Sequence, residues 1–175
     1  MQERKFTPEL IAPCGMNCGI CKSYLAYSRG VPKEKGKVSH CPGCLPRNKN
    51  CVLKRGCKKL RRNEIKSCHE CDDMPCENLD RLDQRYRRRY GMSMVENLRE
   101  ITKKGMEKFL ESQEKKYRCP ECGDVVSVHD GKCYTCLRAY NPEWMFRFMI
   151  FTYMQKWMFH VNNALWLKKF IRPLL

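Results

Sequence analysis

The sequence predicts a small, metal-stabilised, α-rich fold with irregular cysteine-rich loops, C-terminal zinc-ribbon β-hairpins and a hydrophobic terminal helix. The 175 residues include 14 cysteines, most of them spaced as metal ligands commonly are. Apolar residues recur at helical spacing between residues 77 and 116. Between Arg29 and Cys76 aliphatic residues are few, and Phe, Trp and Tyr are absent. Because such a segment buries too little apolar surface to offset its chain entropy, we expect metal binding to stabilise it.

Changes in composition divide the chain into four segments. They are a cysteine-rich metal-binding domain at 1–80, a helical linker at 81–118, a zinc ribbon at 119–138 and an aromatic, basic helical tail at 143–172. A chain of this length accommodates one or two small domains.

The first ten cysteines form a group that we call the cysteine ladder. Two sulfurs three or four residues apart can reach one ion from a single tight turn, and the neighbouring Gly and Pro residues permit such turns. The ladder is therefore a candidate site for zinc or for a [4Fe–4S]-type cluster. Its predicted ligands are Cys14, Cys18, Cys21, Cys41, Cys44, Cys51, Cys57, Cys68, Cys71 and Cys76.

The ladder has enough cysteines for two four-sulfur sites, with two left over, and His40 or His69 can replace a thiolate. One grouping joins the first three ladder cysteines with one of the last three. The other joins the four cysteines between residues 41 and 57. Spacing alone leaves both the grouping and the choice between zinc and iron open.

The linker has clear helical signals. Apolar residues recur every three or four positions over 77–90, which predicts a helix that Gly91 caps. Ser93 begins a capping box, so a second helical stretch is predicted over 93–116, interrupted at Gly105.

The most specific motif is a pair of Cys-x-x-Cys turns separated by ten residues. Valines at 125, 126 and 128 predict a short strand, and Asp130-Gly131 predicts a hairpin turn. Two such turns around one tetrahedral ion are typical of a zinc ribbon. His129 lies on the turn, where we expect it to be exposed rather than a ligand. The predicted zinc ligands are Cys119, Cys122, Cys133 and Cys136.

The tail is rich in aromatic residues and has no acidic residue after Glu143. Basic and amide side chains interrupt it, so its uncharged runs are shorter than the roughly 20 residues that cross a bilayer, and no transmembrane span is predicted. A helix this apolar requires burial. It can pack on the metal-binding domain, bind a protein partner or lie on a membrane surface.

The charge of the chain indicates an anionic partner. Lys and Arg number 35 and Asp and Glu 19, giving a net charge of +16. This excess favours nucleic acid or an acidic protein. The densest basic run is 54–66, and the end of the first linker helix alternates Arg with Tyr, which suits phosphate contact and base stacking. The alternative explanations are a solvated helix face for 54–66 and the helix dipole for the arginines.

Catalytic motifs are not evident in the sequence: it has no convincing acid pair, Ser/His/Asp set or glycine-rich nucleotide loop. This favours a zinc-binding interaction or scaffold protein without enzymatic activity. The alternative is an iron–sulfur protein with a redox or electron-transfer role in a larger complex. The spacing from Cys14 to Cys21 resembles the radical-SAM cluster motif, but that family's β/α barrel requires alternating strands and helices that this sequence lacks.

The cysteine motifs and the linker together resemble one known family. The ladder reads CGxxCxxC, then CxGC, then CxxCxxxPC, and RYRxRYG at 85–91 and FLExQExKxRCPxCG at 109–123 follow. This series resembles the prokaryotic cysteine-rich family catalogued as "domain of unknown function 3795", over residues 10–138. The resemblance implies a metal-binding unit at 14–76, a helical linker and a C-terminal ribbon, without a known activity.

The N-terminal residues lack the apolar stretch of a signal peptide. Paired Cys-x-x-Cys turns suit metals better than disulfides, and a reducing cytosol keeps thiols free to bind them. We therefore expect a cytoplasmic, prokaryotic protein, with peripheral attachment to a membrane as an alternative.

Overall fold

The computed structural model describes residues 5–48 and 51–140, which belong to one compact unit spanning residues 1–140. This part of the chain is small and helix-rich. The predicted terminal helix at 143–172 lies outside the described residues. The helices are α1 (Lys22–Ser28), α2 (Val52–Gly56), α3 (Lys58–Arg61), α4 (Glu77–Tyr90), α5 (Met94–Lys104) and α6 (Met106–Lys116), and 3₁₀ turns lie at Pro8–Leu10, Cys18–Ile20 and Cys68–Glu70.

The linker helices begin and end where the sequence predicts. α4 ends at Gly91, which takes the left-handed conformation at φ 58°. Ser93 caps α5, and its hydroxyl accepts a hydrogen bond from the backbone N–H of Glu96 at 3.0 Å. Asp83 of α4 is buried and accepts hydrogen bonds from the Ser93 hydroxyl and the Val95 N–H, at 2.8 and 3.0 Å. A carboxylate of one helix therefore fixes the start of the next.

Helix α5 supports the beginning of the ladder. Gly15 lies so close to it that an added Cβ atom would be 2.6 Å from the Met94 carbonyl oxygen and 2.7 Å from Leu98 Cγ. The Asn97 side-chain amide donates to the Gly15 carbonyl at 2.9 Å. Gly15 also has φ +83°, a conformation that favours glycine. The glycine after Cys14 is therefore required both by its backbone angle and by the contact with α5.

The end of the ladder also lies against α5 and the start of the ladder. The Cys68 N–H donates to the Pro13 carbonyl at 2.8 Å, and the 3₁₀ turn that begins at Cys68 packs against α5. Residues 13 and 68 are thus neighbours. Since both ends of the ladder meet at α5, its cysteines occupy a limited volume.

The predicted β-hairpins are not formed as strands in the described residues. Pairing there is limited to isolated antiparallel bridges, such as Arg118 with Val125 and Val126 with Cys133. The reason lies partly in Val128, whose N–H donates to the Ile20 carbonyl at 2.9 Å instead of extending a hairpin. The valine segment therefore connects to the ladder rather than forming a separate sheet.

No helix among residues 5–48 and 51–140 has the length and apolar character needed to cross a membrane.

We predict that replacing Gly15 by Ala destabilises the protein much more than replacing Gly36 by Ala. Both glycines have positive φ, +83° and +78°, but an added Cβ atom clashes with α5 only at Gly15 and meets open space at Gly36. Gly36→Ala should lower the free energy of unfolding by about 1 kcal/mol, and Gly15→Ala by about 1–3 kcal/mol more. Urea unfolding followed by circular dichroism measures both, and equal losses would contradict the close contact.

Candidate metal centre

Four cysteine sulfurs converge after α6. The Sγ atoms all lie within 4.8 Å of one another. Two pairs are closer still: 3.6 Å separates Cys119 from Cys136, and 3.5 Å separates Cys122 from Cys133. A tetrahedral ion bound at about 2.3 Å requires sulfurs about 3.8 Å apart. The four residues, which we call the sulfur quartet, can therefore hold one metal ion, as the spacing predicted.

Two similar backbone turns present the quartet. In the first, the Cys119 N–H donates to the Asp124 carbonyl at 2.6 Å, and Gly123 has φ +72°. In the second, the Cys133 N–H donates to the Arg138 carbonyl at 2.9 Å. Leu137 follows Cys136 as Gly123 follows Cys122, and it has a positive φ of 62° although it is not glycine. Each Cys-x-x-Cys turn is thus followed by a residue with positive φ, where the chain reverses direction.

The electrostatic environment of the quartet favours thiolate at one position. Cys119 is buried, which opposes ionisation, but the Tyr140 hydroxyl lies 3.2 Å from its sulfur. This hydroxyl and nearby backbone N–H groups lower the pKa of Cys119 to about 6. Burial raises the pKa of Cys133 to about 12. A lowered pKa favours the thiolate of Cys119, the form in which cysteine binds a metal.

Asp124 joins the quartet to the N-terminal part of the chain. Its carboxylate accepts hydrogen bonds from Arg29 Nε at 2.9 Å and Nη2 at 2.7 Å. Lys5 Nζ lies 3.3 Å away, and the Thr135 hydroxyl also donates to Asp124. Burial disfavours the charged carboxylate, but the Arg29 guanidinium and these donors hold its pKa well below its usual range. The residue that follows the first turn is therefore ionised and bound to residues about a hundred positions earlier.

His129 is half-buried rather than exposed, so this prediction from the sequence is wrong. Its ring packs edge-on against Tyr86 and Tyr90, with centroids 5.8 and 4.9 Å apart. Its Nδ1 accepts the Lys22 N–H at 3.5 Å. Burial lowers the pKa of His129, with Lys22 contributing, so the ring is held neutral. It connects α4 to the start of α1 and lies outside the quartet.

The ladder cysteines form no disulfides with one another, and their sulfurs are arranged more openly than those of the quartet. Cys18 and Cys68 are buried, and the other eight are half-buried. The Cys44 N–H donates to Cys18 Sγ at 3.3 Å, a contact across 26 positions. In the described part of the chain, only the quartet gathers three or more potential ligand atoms so tightly. Metal binding by the ladder therefore stays a prediction.

Two cavities lie among the ladder cysteines. One, of about 330 Å³, is lined by Cys14, Cys44 and Cys51 together with aliphatic side chains. The other, of about 340 Å³, is lined by four cysteines. They are Cys57, Cys68, Cys71 and Cys76.

Sequence reasoning missed Asp124 and Tyr140. Asp124 has no local signal, because its partner Arg29 lies 95 positions earlier in the chain. Tyr140 has none either: only the three-dimensional turn after Cys136 brings its hydroxyl to Cys119.

Comparison with known proteins agrees with the resemblance over the first half of the chain. Residues 10–81 match the model of a family described as "Protein of unknown function (DUF3795)". The DUF3795 match includes all ten ladder cysteines and ends before α5. No curated protein and no solved structure matches the chain. The similarity therefore covers the ladder and the beginning of α4, and it assigns no activity.

We predict that Asp124→Asn destabilises the protein by about 2 kcal/mol, because the Arg29 guanidinium loses its charged partner. Asp130→Asn serves as a matched control, since the bonds of Asp130 to Tyr134 and Lys132 stay within the quartet region. Urea unfolding at neutral pH should show a clear loss for Asp124→Asn and a smaller one for Asp130→Asn. Equal losses would show that Asp124 does not hold the two regions together.

Proposed function

We propose that this protein is a zinc-binding interaction or scaffold protein whose sulfur quartet holds a structural zinc ion. The observation that carries the proposal is the close approach of four sulfurs, 3.5 and 3.6 Å within two pairs. Four thiolates at tetrahedral spacing suit zinc, and they occupy every coordination position. The ion then stabilises the two turns and leaves no open position for a substrate.

The same proposal includes a zinc-ribbon role for the region around the quartet and a cytoplasmic location. Zinc binding needs cysteines that are not in disulfides, and a reducing compartment keeps them so; no described cysteine forms a disulfide. For the aromatic tail at 143–172, the proposal is that it binds a protein partner or a membrane surface. The basis is its composition, since it is rich in aromatic residues and basic groups interrupt them.

We further propose nucleic acid as the partner of the basic surface. Helix α4 ends in exposed arginines at 85, 88 and 89. Arg87, between them, is already bound to Asp83 at 2.6 Å and to Glu96 at 3.0 Å. Arg87 thus stabilises the helix, while its three neighbours extend from the same end of α4 toward solvent. Such a cluster suits contacts to phosphates, and an acidic protein is the competing partner.

A second candidate function is the iron–sulfur role. The cavity lined by four ladder cysteines favours it, because the sulfurs there do not lie as close together as those of the quartet.

We predict that Cys119→Ser removes about one zinc ion per chain, since it takes one thiolate from a four-ligand site. Glu121→Gln is the matched control, because Glu121 is exposed in the same turn and contributes no sulfur. Elemental analysis of protein purified without chelator measures the loss. Unchanged zinc in Cys119→Ser would contradict a zinc site at the quartet.

We predict that the wild-type protein binds single- or double-stranded nucleic acid with an affinity that falls as salt rises. Replacing the arginines at 85, 88 and 89 by Gln should weaken binding at least tenfold. The slope of the logarithm of the binding constant against that of the salt concentration should fall by the amount expected for about three phosphate contacts. Fluorescence anisotropy at several salt concentrations measures both effects.

The control for this experiment replaces the lysines at 103, 108 and 115 by Gln, which removes the same charge from α5 and α6. Equal weakening in the two triple variants would indicate attraction by net charge without a site on α4. Absence of binding at low salt would exclude nucleic acid and direct the search to acidic proteins.

A further inference from the structure

Four ladder cysteines from separate backbone elements face one cavity. Cys57 lies between α2 and α3, Cys68 and Cys71 lie at the two ends of a 3₁₀ turn, and Cys76 directly precedes α4. All four line the cavity of about 340 Å³. The sequence grouped Cys57 with the cysteines before it, whereas the fold places it with the three that follow.

Part of the cavity wall is apolar. Leu53, Leu60 and Leu79 line it, and all three are buried. Ile65 and Met74 complete this apolar part, while Lys59, Asp73 and Asn78 are among its polar residues. Apolar side chains beside thiolates limit the access of water from that side.

The spacing of the four sulfurs favours a cluster over a single ion. One zinc ion draws four sulfurs to about 3.8 Å from each other, as in the quartet. The ladder cysteines, within the described residues, form no group that tight. In a four-iron cluster each thiolate binds a different iron, so the four cysteine sulfurs surround the iron–sulfide core and lie farther apart than around one ion. Four sulfurs around an open cavity match this second arrangement.

A cation lies beside one of the four sulfurs. Lys59 Nζ is 3.6 Å from Cys71 Sγ and 3.6 Å from the Asp73 carboxylate. Hydrogen bonds and positive charge at ligand sulfurs stabilise the reduced, more negative state of an iron–sulfur cluster. Lys59 is therefore placed to act on the cluster through its ligand.

We propose that Cys57, Cys68, Cys71 and Cys76 bind one [4Fe–4S] cluster and that Lys59 is a positioning residue that donates to the Cys71 ligand. This site is separate from the zinc quartet, and the proposal does not depend on zinc binding there. The remaining ladder cysteines have their own contacts, among them the pair Cys18 and Cys44, and are not needed for this cluster.

The first test counts metals and sulfide in the full chain, purified and reconstituted with iron and sulfide without oxygen. The wild-type protein should be brown and show a paramagnetic resonance signal after dithionite adds one electron per cluster. Cys71→Ser should lose about four irons and four sulfides per chain and keep its zinc. Cys119→Ser should do the reverse, losing zinc and keeping iron.

These two variants separate the proposals. Iron retained in Cys71→Ser overturns the cluster assignment, as does a colourless wild-type protein that fills the ladder with zinc. Zinc retained in Cys119→Ser overturns the quartet site alone. Cys71 is half-buried, so its replacement by Ser should be tolerated better than that of buried Cys68.

The second test keeps all four cysteine ligands and changes only Lys59. Lys59→Gln should keep the cluster and shift its reduction potential to a more negative value, because a positive donor at Cys71 is lost. Arg61→Gln is the matched control, since it removes the same charge from an exposed position of α3 that does not line the cavity. Redox titration followed by paramagnetic resonance measures the shift. An equal shift in both variants, or no signal in any variant, would overturn the assignment.

Discussion

The shortage of apolar side chains in the ladder is the constraint on which the described structure depends. From Arg29 to Cys76 the buried hydrophobic residues are Leu53, Leu60 and Cys68, within the part that the structure describes. A segment with so small a core needs other sources of stability. Helix α5 provides one by packing against both ends of the ladder, and thiolate binding to metal would provide the other.

Two arrangements of cysteine sulfur coexist in one compact unit. The quartet brings four sulfurs around a point, while the sulfurs of the second group surround a cavity. The contrast indicates different occupants, since the distance between ligand sulfurs follows the size of what they bind. A protein with both would combine a structural ion with a redox-active group, and its stability and its electron chemistry would be controlled by separate residues.

The sequence was most informative where structure depends on neighbouring residues. Gly91 and Ser93 mark the end of α4 and the start of α5 because caps require particular residues at particular positions. The quartet was predictable for the same reason, since each pair of ligands shares one turn. The contacts of Asp124 with Arg29 and of Val128 with Ile20 span about a hundred positions, and no local pattern encodes them. The grouping of Cys57 with the last ladder cysteines depends on the same kind of long-range packing.

The partnership of Arg29 with Asp124 also affects the order of events during synthesis. The last ladder cysteine, Cys76, precedes Asp124 by 48 positions, so the whole ladder is synthesised before Asp124 exists. At about 5–20 residues per second, these 48 residues take roughly 2–10 s. During that time the quartet region cannot yet pack against the ladder. The period ends when Asp124 binds Arg29.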